Sequence, residues 1–431
     1  MSQHKLPVQS DIESVRDELA KLWQDRDLSQ IANSATQKLM NLPGDWDPPE
    51  GVIPSRPLVR MAIGIPDSHT LPKQQLLEAA QETIARPGEA AFVYGFGLGY
   101  KRLRAQLAER YTQLRGLQVD EDWFQLTNGS AGAIDLICRT LVNPGDVIIT
   151  ESPTYMGTLR NFRGVMADIH PAPMDKDGLL IDSLEQLIVE LKKLGKTVKF
   201  IYTISTFHNP TGANLSLDRR IALLKLAARH DVLILDDDAY GELYFGDQPP
   251  AALSALSGGH GVITVGTLSK VLATGLRVGW IHAEPATIQL MGKMRFAMGL
   301  NQLVVRMISN YMQNGVLDQH VESVRNLYRE KMQCLCNGLE RYANDHISFD
   351  PPQGGFYLWL KLKGKLTARD VWRTATEEGV SLTQGTSFFP ARDPEGEHLR
   401  IAYPWTPMEE LEEGARRLGL ACERVARGKG L

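Results

Sequence analysis

Residues 264–280 read TVGTLSKVLATGLRVGW and hold one amine, Lys270, among small and hydroxylated residues, with an arginine, Arg277, at the far end of the same apolar loop. A lysine beside a strand end is ordinarily solvated, because buried lysines are rare; amine chemistry needs other groups brought to it. Candidates occur at several further strand ends. In VLILDDDAYGELYF a short apolar strand delivers Asp236, Asp237 and Asp238, and side-chain alternation lets one aspartate enter a cleft while its neighbours face away. The run equally suits a solvated or helix-capping acid cluster, or a divalent-metal site. In LTNGSAGAIDLICRTLVNPGD, Asn128 and Gly129 turn the chain and Ser130 opens an apolar helix, whose free N–H groups and adjacent hydroxyl can hold a phosphate. A plain serine cap is the simpler reading. A serine-hydrolase elbow would need glycine at position 128, which is asparagine. Tyr155 in ESPTYMG follows a proline-set extended turn and can stack on a flat ring or join a core. Asn209 in STFHNPTG sits just past a strand, where its amide can bond a ring substituent or serve a β-turn.

These residues meet only if the elements carrying them line up. From about residue 60 the runs DVIIT, KFIYTI, VLILD, VITVG and VGWIHA alternate with amphipathic segments such as LDRRIALLKLAARHD. Near-continuous apolar strands between helices predict an α/β fold, a largely parallel sheet covered on both faces with ligand sites at the carboxyl ends of its strands. Residues 1–60 predict an N-terminal arm, a helix followed by the turn-rich NLPGDWDPPEGVIPSRP, with no comfortable room for a DNA-binding domain ahead of the main fold. Beyond about residue 310 a long helix, LDQHVESVRNLYREKMQCLCNGLERYAN, and the strands FYLWLKL and LRIAY predict a smaller α+β domain. The expected division is an arm over 1–60 that is part of the small domain, a large domain over 61–310 and a small C-terminal domain over 311–431.

The chain has 431 residues, 43% hydrophobic and 23% charged, with a formal net charge of -4. Its mild acidity gives no electrostatic footprint for nucleic acid or an anionic membrane. Four cysteines, Cys138, Cys334, Cys336 and Cys422, are too scattered for a disulfide framework and lack metal-ligand spacing, which points to reduced thiols and no metal centre. The first residues have neither signal-peptide nor transit-peptide character, and no apolar run reaches the ~18 residues of a membrane span, so the expectation is a cytoplasmic protein.

Taken in order, Y...G...LR, N-G-S, S-P-x-Y, N-P-T-G, D-D-A-Y, S-K and G-L-R-x-G-W resemble the class I/II aminotransferase family of pyridoxal-phosphate enzymes, the aspartate aminotransferase type of fold, over roughly residues 60–405. The resemblance implies fold type I, with a mostly parallel seven-stranded sheet between helices in the large domain, and pyridoxal 5'-phosphate as cofactor. It implies that Lys270 is the Schiff-base (aldimine) lysine and the acid/base for the substrate Cα. Asp237 would pair with the pyridine nitrogen, Tyr240 and Asn209 would bond the ring's phenolic oxygen, and Tyr155 would stack on the ring. The phosphate would sit on the backbone amides of Ser130 and Ala131, with Thr267, Ser269 and Arg277 completing its cradle. Tyr94 in YGFGLGYKRLR matches the family tyrosine that reaches the neighbouring subunit's phosphate, which implies a homodimer. The glycines there, Gly95, Gly97 and Gly99, do not have nucleotide-loop spacing. Arg400 in HLRIAY would grip the substrate α-carboxylate, with Gly64 in AIGIPD, Asn209 and the QGGFYLWL segment lining the substrate side.

Three departures from the family pattern bear on substrate class: His208 replaces the usual glutamine before N-P-T-G, Ala131 and Gly132 replace glutamines, and Thr274 replaces a proline. The activity implied is transfer of an amino group between an L-amino acid and a 2-oxo acid, small-molecule partners only. The same cofactor also supports a lyase, a replacement enzyme or a cyclising or condensing enzyme of specialised metabolism. A third reading, a ligand sensor built on an aminotransferase-like domain, requires an attached DNA-binding domain.

Overall fold

Strands rich in valine and isoleucine hide along their whole length only when helices cover both faces of their sheet. The computed structural model describes residues 9–40, 48–86, 88, 90–95, 97–295, 299–390, 396–428 and 430. Residues 1–8 and 41–47 of the expected arm, and Phe96 of the glycine-rich segment, lie outside the described residues. The described strands are β1 (Val59–Arg60), β2 (Phe124–Asn128), β3 (Val147–Ser152), β4 (Asp168–Asp175), β5 (Gly178–Leu179), β6 (Val198–Thr203), β7 (Leu233–Asp237), β8 (Val262–Thr267), β9 (Val278–His282), β10 (Ile347–Ser348), β11 (Tyr357–Leu362), β12 (Val380–Ser381), β13 (Thr383–Gln384) and β14 (His398–Ala402).

The main sheet has the order β2-β9-β8-β7-β6-β3-β4-β5. Its pairs from β8 through β4 are parallel, while β9 runs antiparallel between β2 and β8. This is the expected seven-stranded sheet extended by β5, a two-residue strand hairpinned onto β4. Alternate residues feed two separate cores: Ile148, Phe200, Leu235 and Ile263 on one face, and Val147, Ile149, Ile201, Ile234 and Val262 on the other. Helices such as Gly129–Leu141, Ile181–Lys193 and Leu217–His230 supply the covering layers.

The second sheet, β10-β11-β14-β13, is antiparallel throughout. The 27-residue helix Val316–Tyr342 and the 21-residue helix Met408–Gly428 bury Leu335, Leu339, Leu411 and Leu418 beside it. One core runs through Leu235 of the main sheet and Leu360 of the second. β1 pairs in parallel with β12, so the chain just before residue 61 is stitched to the C-terminal region.

Residues Pro43–Leu431 form one compact unit and Met1–Leu42 another. In the latter, the helix Gln9–Trp23 leads to a 3-10 turn, Leu28–Ile31, and a short helix, Ser34–Leu39. Asn33 caps that helix by accepting from the Thr36 N–H at 2.8 Å.

Candidate active site

Parallel strands present their carboxyl ends along one edge, where the backbone must turn and side chains of different strands converge. Five strands deliver candidates there: β2 leads into Gly129 and Ser130, β3 into Tyr155, β6 into Asn209, β7 carries Asp237 and β8 ends at Thr267, just before Ser269 and Lys270.

Asp237 is 5% exposed and accepts a hydrogen bond at Oδ2 from the Tyr202 hydroxyl, 2.9 Å away. Its Oδ1 is buried without a partner. Burial pushes this carboxyl up to about 6, against the pull of the Tyr202 hydrogen bond. The flanking acids go elsewhere. Asp236 accepts from Ser205 Oγ at 2.8 Å, and Asp238 pairs with Arg115. Each acid having its own partner, the three do not converge as a metal site. Among the described residues no group of three or more histidine, cysteine or acidic side chains could hold a metal ion.

Lys270 donates from Nζ to the Gly64 carbonyl at 2.7 Å and lies 5.8 Å from the Tyr240 ring centre and 5.7 Å from that of Phe356. A Cβ on Gly64 would fall inside the Tyr357 phenol, so glycine is what lets this segment approach. The Tyr240 and Tyr357 hydroxyls are 3.1 Å apart. Burial drives the Tyr240 phenol well up; for Tyr357 burial acts in the same sense, but the Lys270 and Arg400 charges overcome it and lower the phenol below its ordinary value.

Arg400 on β14 is 2% exposed. Its Nη1 donates to Asn209 Oδ1 at 3.1 Å, and its Nη2 to the Ala62 carbonyl at 2.8 Å and to Thr383 Oγ1 at 3.2 Å. The guanidinium also stacks near Tyr357 and Phe388, at 4.3 and 4.7 Å, while its Nε has no partner. The amine of Lys270 and the guanidinium of Arg400 therefore bind two carbonyls of one short segment, at Gly64 and Ala62.

At the other end of the lysine loop, Thr267 Oγ1 and Ser269 Oγ are 3.0 Å apart, and Arg277 reaches Ser269 Oγ at 3.5 Å and the Asn128 carbonyl at 3.2 Å. Arg277 itself has φ +51°, in the left-handed region. Ser130 does not cap the adjacent helix as its sequence setting suggested. The helix starts at Gly129, Asn128 holds the cap position and makes no side-chain cap bond, so the first N–H groups remain for an outside acceptor. Gly129 has φ +71°, and a Cβ there would collide with the Arg277 guanidinium. Ala131 follows in the same first turn. Tyr155 is partly buried and precedes the helix Met156–Gly164; a Cβ on Gly157 would come 2.5 Å from its phenol.

Tyr94 stands apart, 69% exposed, and no hydrogen bond among the described residues ties it to the lysine loop. Two buried groups escaped the motif reading. Tyr202 was legible only as the second aromatic, after Phe200, in the run of β6, and Glu151 as a lone acid near the end of β3. Glu151 lies 3.0 Å from His208 Nε2.

These residues fit pyridoxal 5'-phosphate: a buried aspartate oxygen without a partner, an amine beside two tyrosines, and a hydroxyl, arginine and helix-start cradle that a Cβ at Gly129 would fill. The family model described as "Aminotransferase class I and II" matches residues 56–418. An aromatic-amino-acid aminotransferase of Thermococcus litoralis is 33% identical over 84% of this chain and 87% of its own length. The structure of a multiple substrate aminotransferase from Thermococcus profundus superposes with a TM-score of 0.81 at 30% identity, covering 92% of this chain and 96% of that one. LysN, an α-aminoadipate aminotransferase of Thermus thermophilus complexed with N-(5'-phosphopyridoxyl)-L-leucine, gives a TM-score of 0.79 at 30% identity, covering 94% and 98%.

Proposed function

Because the chain belongs to the class I and II aminotransferase family, we propose that it moves an amino group between an L-amino acid and a 2-oxo acid, with Lys270 carrying the proton at the substrate Cα. Pyridoxal 5'-phosphate, when bound, supplies the electron-withdrawing ring that stabilises negative charge at that carbon. The observation that carries this reading is the pairing on one segment of Lys270 at Gly64 and Arg400 at Ala62. A carboxylate clamp and a proton carrier set this close suit the two ends of an α-amino acid.

The remaining roles are those that the family resemblance implies. Arg400 is a fork of donors already oriented by Asn209 and Thr383, suited to a carboxylate. Asp237 offers its free Oδ1 to a protonated ring nitrogen, and Tyr202 holds the other oxygen in place. Tyr240 and Asn209 bond the ring's phenolic oxygen, and Tyr155 covers the ring face. Ser130 and Ala131 give backbone N–H groups to the phosphate, with Thr267, Ser269 and Arg277 around it.

The reading extends to the side chain of the substrate. A cleft of about 260 Å³ beside the lysine loop is lined by Ile65, Leu71, Ala273, Leu276 and Trp405, with no charged side chain in its wall. We propose that the substrate's side chain enters this cleft, whose polar lining is limited to the hydroxyls of Ser68 and Thr274, which favours an aromatic or aliphatic donor over an acidic one. At the molecular scale we propose a homodimer with Tyr94 given to the neighbouring site, and a division into an arm over 1–60, a large domain over 61–310 and a small domain over 311–431; the β1–β12 pairing supports counting the chain just before residue 61 with the small domain. A cytoplasmic setting accords with the free cysteines; among the described residues, no helix is long and apolar enough to cross a membrane.

The test is the near-ultraviolet and visible absorbance of the cofactor-loaded protein as single amino acids are added without a 2-oxo acid. The expected result is stoichiometric conversion of the cofactor to its amine form with release of one oxo acid, phenylalanine or leucine ahead of aspartate. Catalytic consumption of the amino acid with the cofactor form unchanged would replace this reading with a lyase, replacement or condensing activity.

A further inference from the structure

Next to Asn209 the backbone is strained. Phe207 has φ +50°, a left-handed conformation unusual for a bulky aromatic, and such strain persists only where the surroundings fix it. The Phe207 N–H donates to Asn214 Oδ1 at 2.9 Å, and two backbone bonds close the following turn, from the His208 N–H to the Ala213 carbonyl at 2.9 Å and from the Gly212 N–H to the His208 carbonyl at 2.7 Å. From this turn the imidazole of His208 points into the protein, where it and Glu151 are each 1% exposed.

The hydrogen bonds around the pair have a direction. The Ala213 N–H donates to Thr211 Oγ1 at 3.2 Å, and Thr211 approaches His208 Nδ1 with its hydroxyl at 2.9 Å and its N–H at 3.4 Å. An Nδ1 that accepts from a backbone N–H leaves the ring proton on Nε2. Nε2 lies 3.0 Å from Glu151 Oε2, an oblique contact with no straight hydrogen bond, so the attraction is chiefly electrostatic. Glu151 in turn is fixed to β6, accepting from Thr203 Oγ1 at 2.6 Å and from the Ile204 N–H at 2.9 Å. A chain of polar contacts thus runs from the 208–213 turn through one ring to the sheet, and the turn carries Asn209, whose Oδ1 accepts from Arg400.

We propose that His208 is a positioning residue: braced between Thr211 and Glu151, it holds the strained turn so that Asn209 orients Arg400, and it thereby sets the affinity of the site for carboxylates. The proposal rests on the aminotransferase reading for what the carboxylate belongs to. A glutamine at position 208 keeps an N–H donor toward Glu151; a purely apolar side chain of similar bulk removes both polar ends and leaves Glu151 facing hydrocarbon.

The experiment compares His208→Gln and His208→Leu with the wild type in the cofactor-loaded enzyme. It measures KM and kcat, the dissociation constant of 3-phenylpropionate, a carboxylate with no amino group to react, and the affinity of the cofactor-free proteins for pyridoxal 5'-phosphate. His208→Leu is expected to raise KM and weaken 3-phenylpropionate about tenfold, while kcat and cofactor affinity stay within about threefold. His208→Gln is expected to restore carboxylate binding to within about threefold of wild type. Wild-type carboxylate affinity in a folded His208→Leu protein, or a loss confined to kcat or cofactor affinity, overturns the proposal. If His208→Leu does not fold, the ¹⁵N shifts of the wild-type ring decide: a proton on Nε2 upholds the brace and a proton on Nδ1 overturns it. A wild type that binds 3-phenylpropionate but transaminates nothing sinks the aminotransferase reading while leaving this proposal to stand or fall on the binding data.

Discussion

Asp237 behaves as a buried carboxylate with one hand occupied and one empty. Its folded value, about 6, lies above the ordinary aspartate value of 3.8. Below the ordinary value both folded and unfolded chains hold the proton, so burial costs little; as pH rises through the folded value, the cofactor-free protein must carry a buried charge and loses stability. Urea unfolding of cofactor-free wild type against Asp237→Asn should therefore show the wild type losing up to about 3 kcal/mol relative to the variant between about pH 4 and 7. In the loaded enzyme Asp237→Asn should slow exchange of the substrate Cα proton, followed by deuterium wash-in, on the order of a hundredfold or more. Asp238→Asn should invert that pattern, because it leaves Arg115 buried without its partner: about 3 kcal/mol of stability lost, with proton exchange little changed. Lys270→Ala should abolish the protein-bound chromophore and lower turnover by on the order of a thousandfold or more while circular dichroism is unaltered. The residues of this group were legible because each sits in a short motif beside a strand end. Tyr202 and Glu151 were not, since a polar residue in a buried strand has no local signature and its partner comes from another strand.

At the scale of elements, the strands read as apolar runs reappear as β3, β6, β7, β8, β9, β11 and β14, with ends displaced by a residue or two. β4 gave no such signal because Pro171 and Pro173 interrupt it. They are tolerated since prolines two apart turn the same way, toward the side where β4 meets only the short β5 and the Leu180 N–H bonds the Pro173 carbonyl. The segment that bears Ala62 and Gly64 is an element in its own right, pinned by the buried pair of Lys331 Nζ and Asp67 Oδ2 at 2.6 Å. Lys331 also donates to the Pro404 carbonyl at 2.6 Å, so one ammonium ties this segment to the chain after β14. Lys331→Met should cost about 3 kcal/mol in thermal or urea unfolding. Gly64→Ala should leave the fold in place, displace Tyr357 and cut kcat/KM about tenfold or more.

For the whole molecule, the order of motifs conveyed the fold, since seven short signatures in sequence imply the strands that separate them. It did not convey the packing of the helices Val316–Tyr342 and Met408–Gly428 beside the second sheet, or the strand order, which depend on pairings between distant segments. The proposed homodimer makes a prediction of its own. Lys270→Ala and Tyr94→Ala subunits, each weakly active alone, should regain about a quarter of wild-type turnover when co-refolded, because half the dimers are hybrids and each hybrid has one intact site. No recovery in verified hybrids would place Tyr94 outside the neighbouring site.

The position of β9 has a consequence for synthesis of the chain. Among the described strands, β2, which leads into Gly129 and Ser130, pairs with β9 and with no other. Arg277, at the threshold of β9, meets the carbonyl of Asn128 at the end of β2. A ribosome that has delivered everything through Lys270 has thus made the amine, but the corner proposed for the phosphate still lacks the strand that anchors it. Cofactor capture by the growing polypeptide must wait for His282 to clear the exit tunnel, and chains stalled before that point should be left with an unpaired β2, exposed to proteolysis and to pairing with other nascent chains.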